Sequence, residues 1–133
     1  MEPKSELPRF TVTSDQEHPH HHSLEGHRVT SEYVEDNWIA FIGPVALVLA
    51  RRLDRRLGYE HRVAVETARW CDSLGVTPAE LLVGVNRLVR YGLAEWGDGE
   101  NHLRLHRIWP VVPAAISTAP HKAALSALNG DYM

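Results

Sequence analysis

The chain has 133 residues, enough for one domain and its tails, with 44% hydrophobic residues, one cysteine and a formal net charge of −3. The lone Cys71 excludes an internal disulfide and fits a reducing compartment, and no apolar run approaches the roughly 20 residues that cross a bilayer. The acidic balance speaks against a polyanionic partner only until it is divided along the chain. Residues 1–36 carry three basic and eight acidic side chains, residues 37–109 carry ten arginines against eight acids, and the remainder carries one of each.

Residues 1–31 have the composition of a flexible, acidic arm: three prolines, many charges and few large apolar groups. Phe10-Thr11-Val12-Thr13 is at most a short strand within it. The opening MEPKSELPRF has no signal-peptide pattern, and the expected location is the cytoplasm. His18, His20, His21 and His22 are weak metal candidates. Imidazoles ligate transition metals, but no cysteine stands near to complete a structural zinc pattern.

From Glu32 the pattern becomes helical. Tyr33, Val34, Trp38, Phe41 and Ile42 share one side of a short helix, which Gly43-Pro44 breaks. Pro44 suits the first position of the next helix, which runs to Gly58. Its stripe is Val45, Leu49, Leu53 and Leu57. Arg51, Arg52, Arg55 and Arg56 fall on the remaining face as i, i+4 pairs, which repel unless something negative stands opposite. A phosphate backbone, an acidic leader or a partner protein would serve, and a solvated helix face is the plain alternative. Tyr59–Val65 reads as a strand expected to pair with the later hairpin. Glu66–Leu74 reads as a helix burying Ala68, Trp70, Cys71 and Leu74.

The stretch 75–106 organises the rest. Gly75 and Val76 make a corner. Thr77 then caps a helix from Pro78 to Tyr91, with Glu80 completing a capping box and Gly92 ending it. Leu81, Val85, Leu88 and Val89 face inward. Glu80, Val83, Gly84, Asn86, Arg87 and Arg90 are expected to face outward. Strands at 93–96 and 102–106 flank a turn, Gly97-Asp98-Gly99-Glu100. Helix, glycine turn, capped helix and hairpin spell a winged helix-turn-helix, a mainly α fold with a small β-hairpin wing, here spanning residues 32–109. Residues 110–133 are a proline-containing exit and a terminal helix from near Pro120, which either covers the domain or pairs with its copy in a homodimer.

IGPVALVLARRL, VAVETARWCDSLGVTPAELLVGVNRLVRYGLAEW and RLHRIWPVVPAAI together resemble a family of small actinobacterial winged-helix proteins, over residues 38–128. The resemblance implies a DNA-binding or regulatory module, by analogy of fold. Arginine pairs with guanine and asparagine with adenine in the major groove. The expected contacts to double-stranded DNA are therefore Thr77, Asn86, Arg87, Arg90, Arg51, Arg52, Arg55, Arg56 and Arg104. The acidic tip at Asp98 and Glu100 departs from a phosphate-gripping wing. It keeps a protein-interaction module as the alternative. No nucleotide-binding, metalloprotease or nucleophile motif is present, and neither catalysis nor a cofactor is expected.

Overall fold

The computed structural model describes residues 4, 6–15, 26–99 and 101–113. In chain order the elements are β1 (Arg9–Ser14), β2 (His27–Arg28) and a π-helical stretch, Val34–Trp38, that runs into α1 (Ile39–Leu57). Then come β3 (Arg62–Glu66), α2 (Thr67–Leu74), α3 (Pro78–Arg90), β4 (Ala94–Trp96), β5 (His102–Leu105) and β6 (Ile108–Trp109). Among the described residues, three α-helices, a four-stranded sheet and the two-stranded pair β2-β6 make the fold α+β. No helix among the described residues is long and apolar enough to cross a membrane.

Local chemistry sets the helix boundaries. Gly43 (φ 85°) breaks the helical path before Pro44, and α1 continues beyond the kink. Gly75 (φ 73°) closes α2, its N–H donating to the Cys71 carbonyl at 2.8 Å. The Thr77 capping box forms in full. The Thr77 hydroxyl accepts from the Glu80 N–H at 3.1 Å, and the Glu80 carboxylate accepts from the Thr77 N–H at 2.9 Å. α2 has no side-chain cap. Its first N–H donates instead to the Pro8 carbonyl, and the Thr67 hydroxyl donates to Leu7. Thr67 is thus buried where Ala68 was expected, and Ala68 is exposed.

The sheet departs from expectation. Its order is β3-β1-β5-β4, with β1 antiparallel to β3 and parallel to β5. The strand at 62–66 therefore does not pair with the hairpin, because the N-terminal strand lies between them. The stretch read as part of a flexible arm is an interior strand. Phe10 and Val12 are buried beside Val63, Val65, Leu103 and Leu105, and Leu7 and Val29 also join the core. These alternate residues point to one face, which packs on the helices. Trp38 lies edge-on to Phe41, Tyr91 and Trp109, joining the start of α1, the end of α3 and β6. Beyond β6, the Pro110 carbonyl accepts from the Trp38 indole and the Val112 N–H donates to Tyr33, so the exit packs back as expected. The tract His18–His22, Glu100 and the terminal helix near Pro120 lie outside the described residues.

Candidate nucleic-acid interface

α3 is held against α1 by a close backbone approach. A Cβ on Gly84 would stand 3.3 Å from the Ala46 nitrogen and 3.4 Å from its Cα. Gly84 is therefore buried in a helix contact and does not face outward as expected. This contact turns Pro78, Ala79, Glu80, Val83, Arg87 and Arg90 to the surface. Val83 is 47% exposed at the centre of that face.

The expected reading residues divide. Arg90 lies over the Tyr91 ring, 5.9 Å from its centroid, with its guanidinium at the surface. Arg87 is exposed and reaches the Ile42 carbonyl at the α1 kink by a long 3.4 Å contact. Asn86 is engaged. Its side-chain oxygen accepts from the Lys4 N–H at 3.1 Å and its amide donates to the Lys4 carbonyl at 2.9 Å. The Lys4 ammonium lies 4.8 Å above the Trp96 ring. The N-terminal segment thus bridges α3 and β4. Thr77 uses its hydroxyl oxygen as an acceptor in the cap, which leaves the O–H proton free to donate outward.

Arg104 sits opposite Glu95 on the hairpin, 3.7 Å from its carboxylate. His102 joins the hairpin to β1 through Thr13, at 2.7 Å. Asp98 is exposed at the tip, so this end of the hairpin repels phosphate.

The four arginines of α1 do not form one patch. At about 100° per residue, Arg55 lies about 180° round the helix from Ala46, and hence faces away from α3. Arg51 points to the same side and is a pin: it donates to Glu35 at 2.7 Å, to the Val29 carbonyl at 3.2 Å and to the Ser31 carbonyl at 3.1 Å. Arg52 and Arg56 lie over Trp70 of α2. Arg52 donates to Ser73 at 2.6 Å and Arg56 pairs with Glu60. That hydrogen bond holds the Glu60 carboxyl below its usual range. Two of the stacked arginines, Arg51 and Arg56, therefore find their negative groups within the chain, and Arg52 is held by a hydroxyl and a ring.

Sequence reasoning missed Asp54 and its partners. Asp54 is 2% exposed, hydrogen-bonded to Arg107 at 2.6 Å and 3.8 Å from Arg28. Its spacing carried the signal, since it stands four residues after Ala50 and three before Leu57, both buried. Cys71 is 3% exposed, and burial pushes its thiol up, as suits a core residue. Among the described residues, no group of three or more His, Cys, Asp or Glu side chains is placed to hold a metal. No protein-family model, curated protein or solved structure matches the chain.

Proposed function

We propose that the chain is a winged-helix DNA-binding protein that acts in transcription regulation, with α3 in the major groove. The observation that carries this reading is α3 itself: a capped helix held by its neighbour so that Val83, Arg87 and Arg90 project together beside a hairpin. Arg87 reads a guanine edge, Val83 meets a thymine methyl, and Arg90 and the Thr77 hydroxyl meet phosphates. Arg104 reaches the backbone once it leaves Glu95. In a homodimer paired through the terminal helix expected near Pro120, the two reading helices should lie about 34 Å apart to match successive major grooves.

The contact set is small, so electrostatic binding is modest. With two or three phosphate contacts, log affinity should fall against log salt with a slope of about −2 to −3. Fluorescence anisotropy on a site selected from random duplexes tests this. Arg87→Ala should weaken that site by about 1–3 kcal/mol, and Arg90→Ala should weaken all duplexes alike. Binding indifferent to salt, or a selection yielding no preferred duplex, overturns the reading.

One feature favours a second reading, a protein-interaction module. Pro44, Val45, Val48, Leu74 and Val76 line an apolar groove of about 210 Å³ next to the α2–α3 corner, and Val48 is 48% exposed. Capture of a protein that survives nuclease, without duplex binding, would replace the first reading with this one.

A further inference from the structure

The side of α1 turned away from α3 carries a different feature. Arg28, Thr30, Arg51, Asp54, Arg55, Gly58 and Arg107 line an open cleft of about 430 Å³. Four guanidinium groups share it, and among the described residues Asp54 is the only carboxylate in its lining. Asp54 is already engaged by Arg107, through both its carboxylate (2.6 Å) and its main-chain oxygen (3.1 Å), with Arg28 at 3.8 Å. Glu35, outside the lining, neutralises Arg51 at 2.7 Å. Four positive charges against these two carboxylates leave a surplus of two.

The surplus has an address. Arg55 is exposed, and its side chain has no hydrogen-bond or ion-pair partner among the described residues. Arg28 is 62% exposed and holds Asp54 only at long range. Arg107 and Arg51 are fixed by their hydrogen bonds and hold the cleft open from two sides. Guanidinium groups gathered like this repel one another unless an anion joins them, and the planar fork of arginine matches the oxygens of a phosphate. The Thr30 hydroxyl adds a neutral donor at the rim. A doubly charged oxyanion balances the excess, whereas a simple carboxylate leaves one positive charge over. Arg55 faces away from α3, so a duplex lying on α3 would not fill the cleft, and a cleft of about 430 Å³ suits a small molecule.

We infer that this cleft binds a phosphate-type dianion, free or esterified to a small molecule, through Arg55 and Arg28, with Arg51 and Arg107 as fixed flanking charges. This goes beyond the DNA reading; only the choice of a small molecule over a duplex rests on α3 being the DNA face. The test is titration of the full chain with inorganic phosphate and with phenyl phosphate, followed by the arginine Nε–Hε resonances. The Arg55 and Arg28 signals should move saturably, while equal ionic strength of chloride or acetate leaves them in place. Arg55→Gln and Arg28→Gln, both at exposed positions, should each weaken binding about tenfold, and Arg87→Gln on α3 should not change it. Stronger binding of phenyl phosphate marks an esterified ligand and stronger binding of inorganic phosphate marks the free ion; either supports the site. No saturable movement up to about 10 mM, or movement that Arg55→Gln leaves intact, overturns it. So does displacement of phosphate by a short duplex, because the cleft would then belong to a nucleic-acid surface.

Discussion

Asp54 shows how one residue can be decisive without touching any partner outside the chain. Among the described residues it is the one buried charged side chain. It sits in the last turns of α1, where the helix dipole disfavours a negative charge, so Arg107 must compensate both burial and the dipole. Arg107 is itself only 17% exposed. Asp54→Ala should cost about 2–3 kcal/mol, because it leaves the partly buried Arg107 guanidinium without its carboxylate. Asp54→Leu combined with Arg107→Met should recover most of that loss, since two apolar groups leave no charge unpaired. Urea denaturation of the single and double variants measures both. A single-variant cost under about 1 kcal/mol would show that water, not Arg107, solvates the carboxylate. The spacing of Asp54 among buried residues was visible in the sequence. Its partners were not, because Arg28 and Arg107 lie 26 and 53 residues away and nothing local links them.

At the scale of elements, β1 holds the sheet together, and its lower end is closed by a titratable pair. Asp15 hydrogen-bonds His106 at 2.7 Å, accepts from the Arg107 N–H at 3.3 Å, and donates its own N–H to the Leu105 carbonyl. The Asp15 hydrogen bond raises the His106 pKa, outweighing the opposing effect of burial. A raised histidine pKa stabilises the fold fully below the unfolded value of about 6.5, and this stability is lost as pH rises through the folded value. The thermal midpoint of the natural chain should therefore decline from about pH 6.5 upward relative to that of Asp15→Asn. In that variant the His106 proton resonance should titrate lower. Superimposed midpoint curves for the two proteins would remove the pair from the stability of β1. Elements defined by local chemistry were legible: the Gly43-Pro44 break, the Thr77 capping box and the Gly75 corner follow from backbone freedom and orphan N–H groups a few residues away. The role of β1 was not. Phe10 and Val12 alternate as a strand should, but only two apolar residues among prolines and charges carry the signal. The parallel partner of Val12 is Leu103, a pairing that local pattern does not specify. The two-residue strands β2 and β6 have no periodicity to read.

Across the whole molecule, the arginines that the sequence offered as DNA contacts are distributed over four places: α3, the hairpin, the Trp70 side of α2, and the cleft behind α1. The face that would meet DNA also carries part of the chain itself. Lys4 satisfies Asn86 with the same pairing of one donor and one acceptor that an adenine edge offers. A helix cannot present Asn86 to a base while that contact persists, so a duplex read by Asn86 would have to displace the segment. Two hydrogen bonds and the Lys4–Trp96 contact together favour the closed state by about 1–3 kcal/mol. The open form is then a minor population, and apparent affinity falls in proportion to it. If α3 reads DNA, a chain lacking residues 1–5 should bind its selected duplex about tenfold more tightly. Asn86→Ala should then weaken the shortened chain more than the full one, because only the shortened chain has the side chain free to read. Leu7, Phe10 and Val12 remain in the shortened chain, so the core strand is kept. Equal affinities for the two lengths, with Asn86→Ala neutral in both, would make Asn86 a structural clamp alone and leave Arg87 and Arg90 as the reading pair.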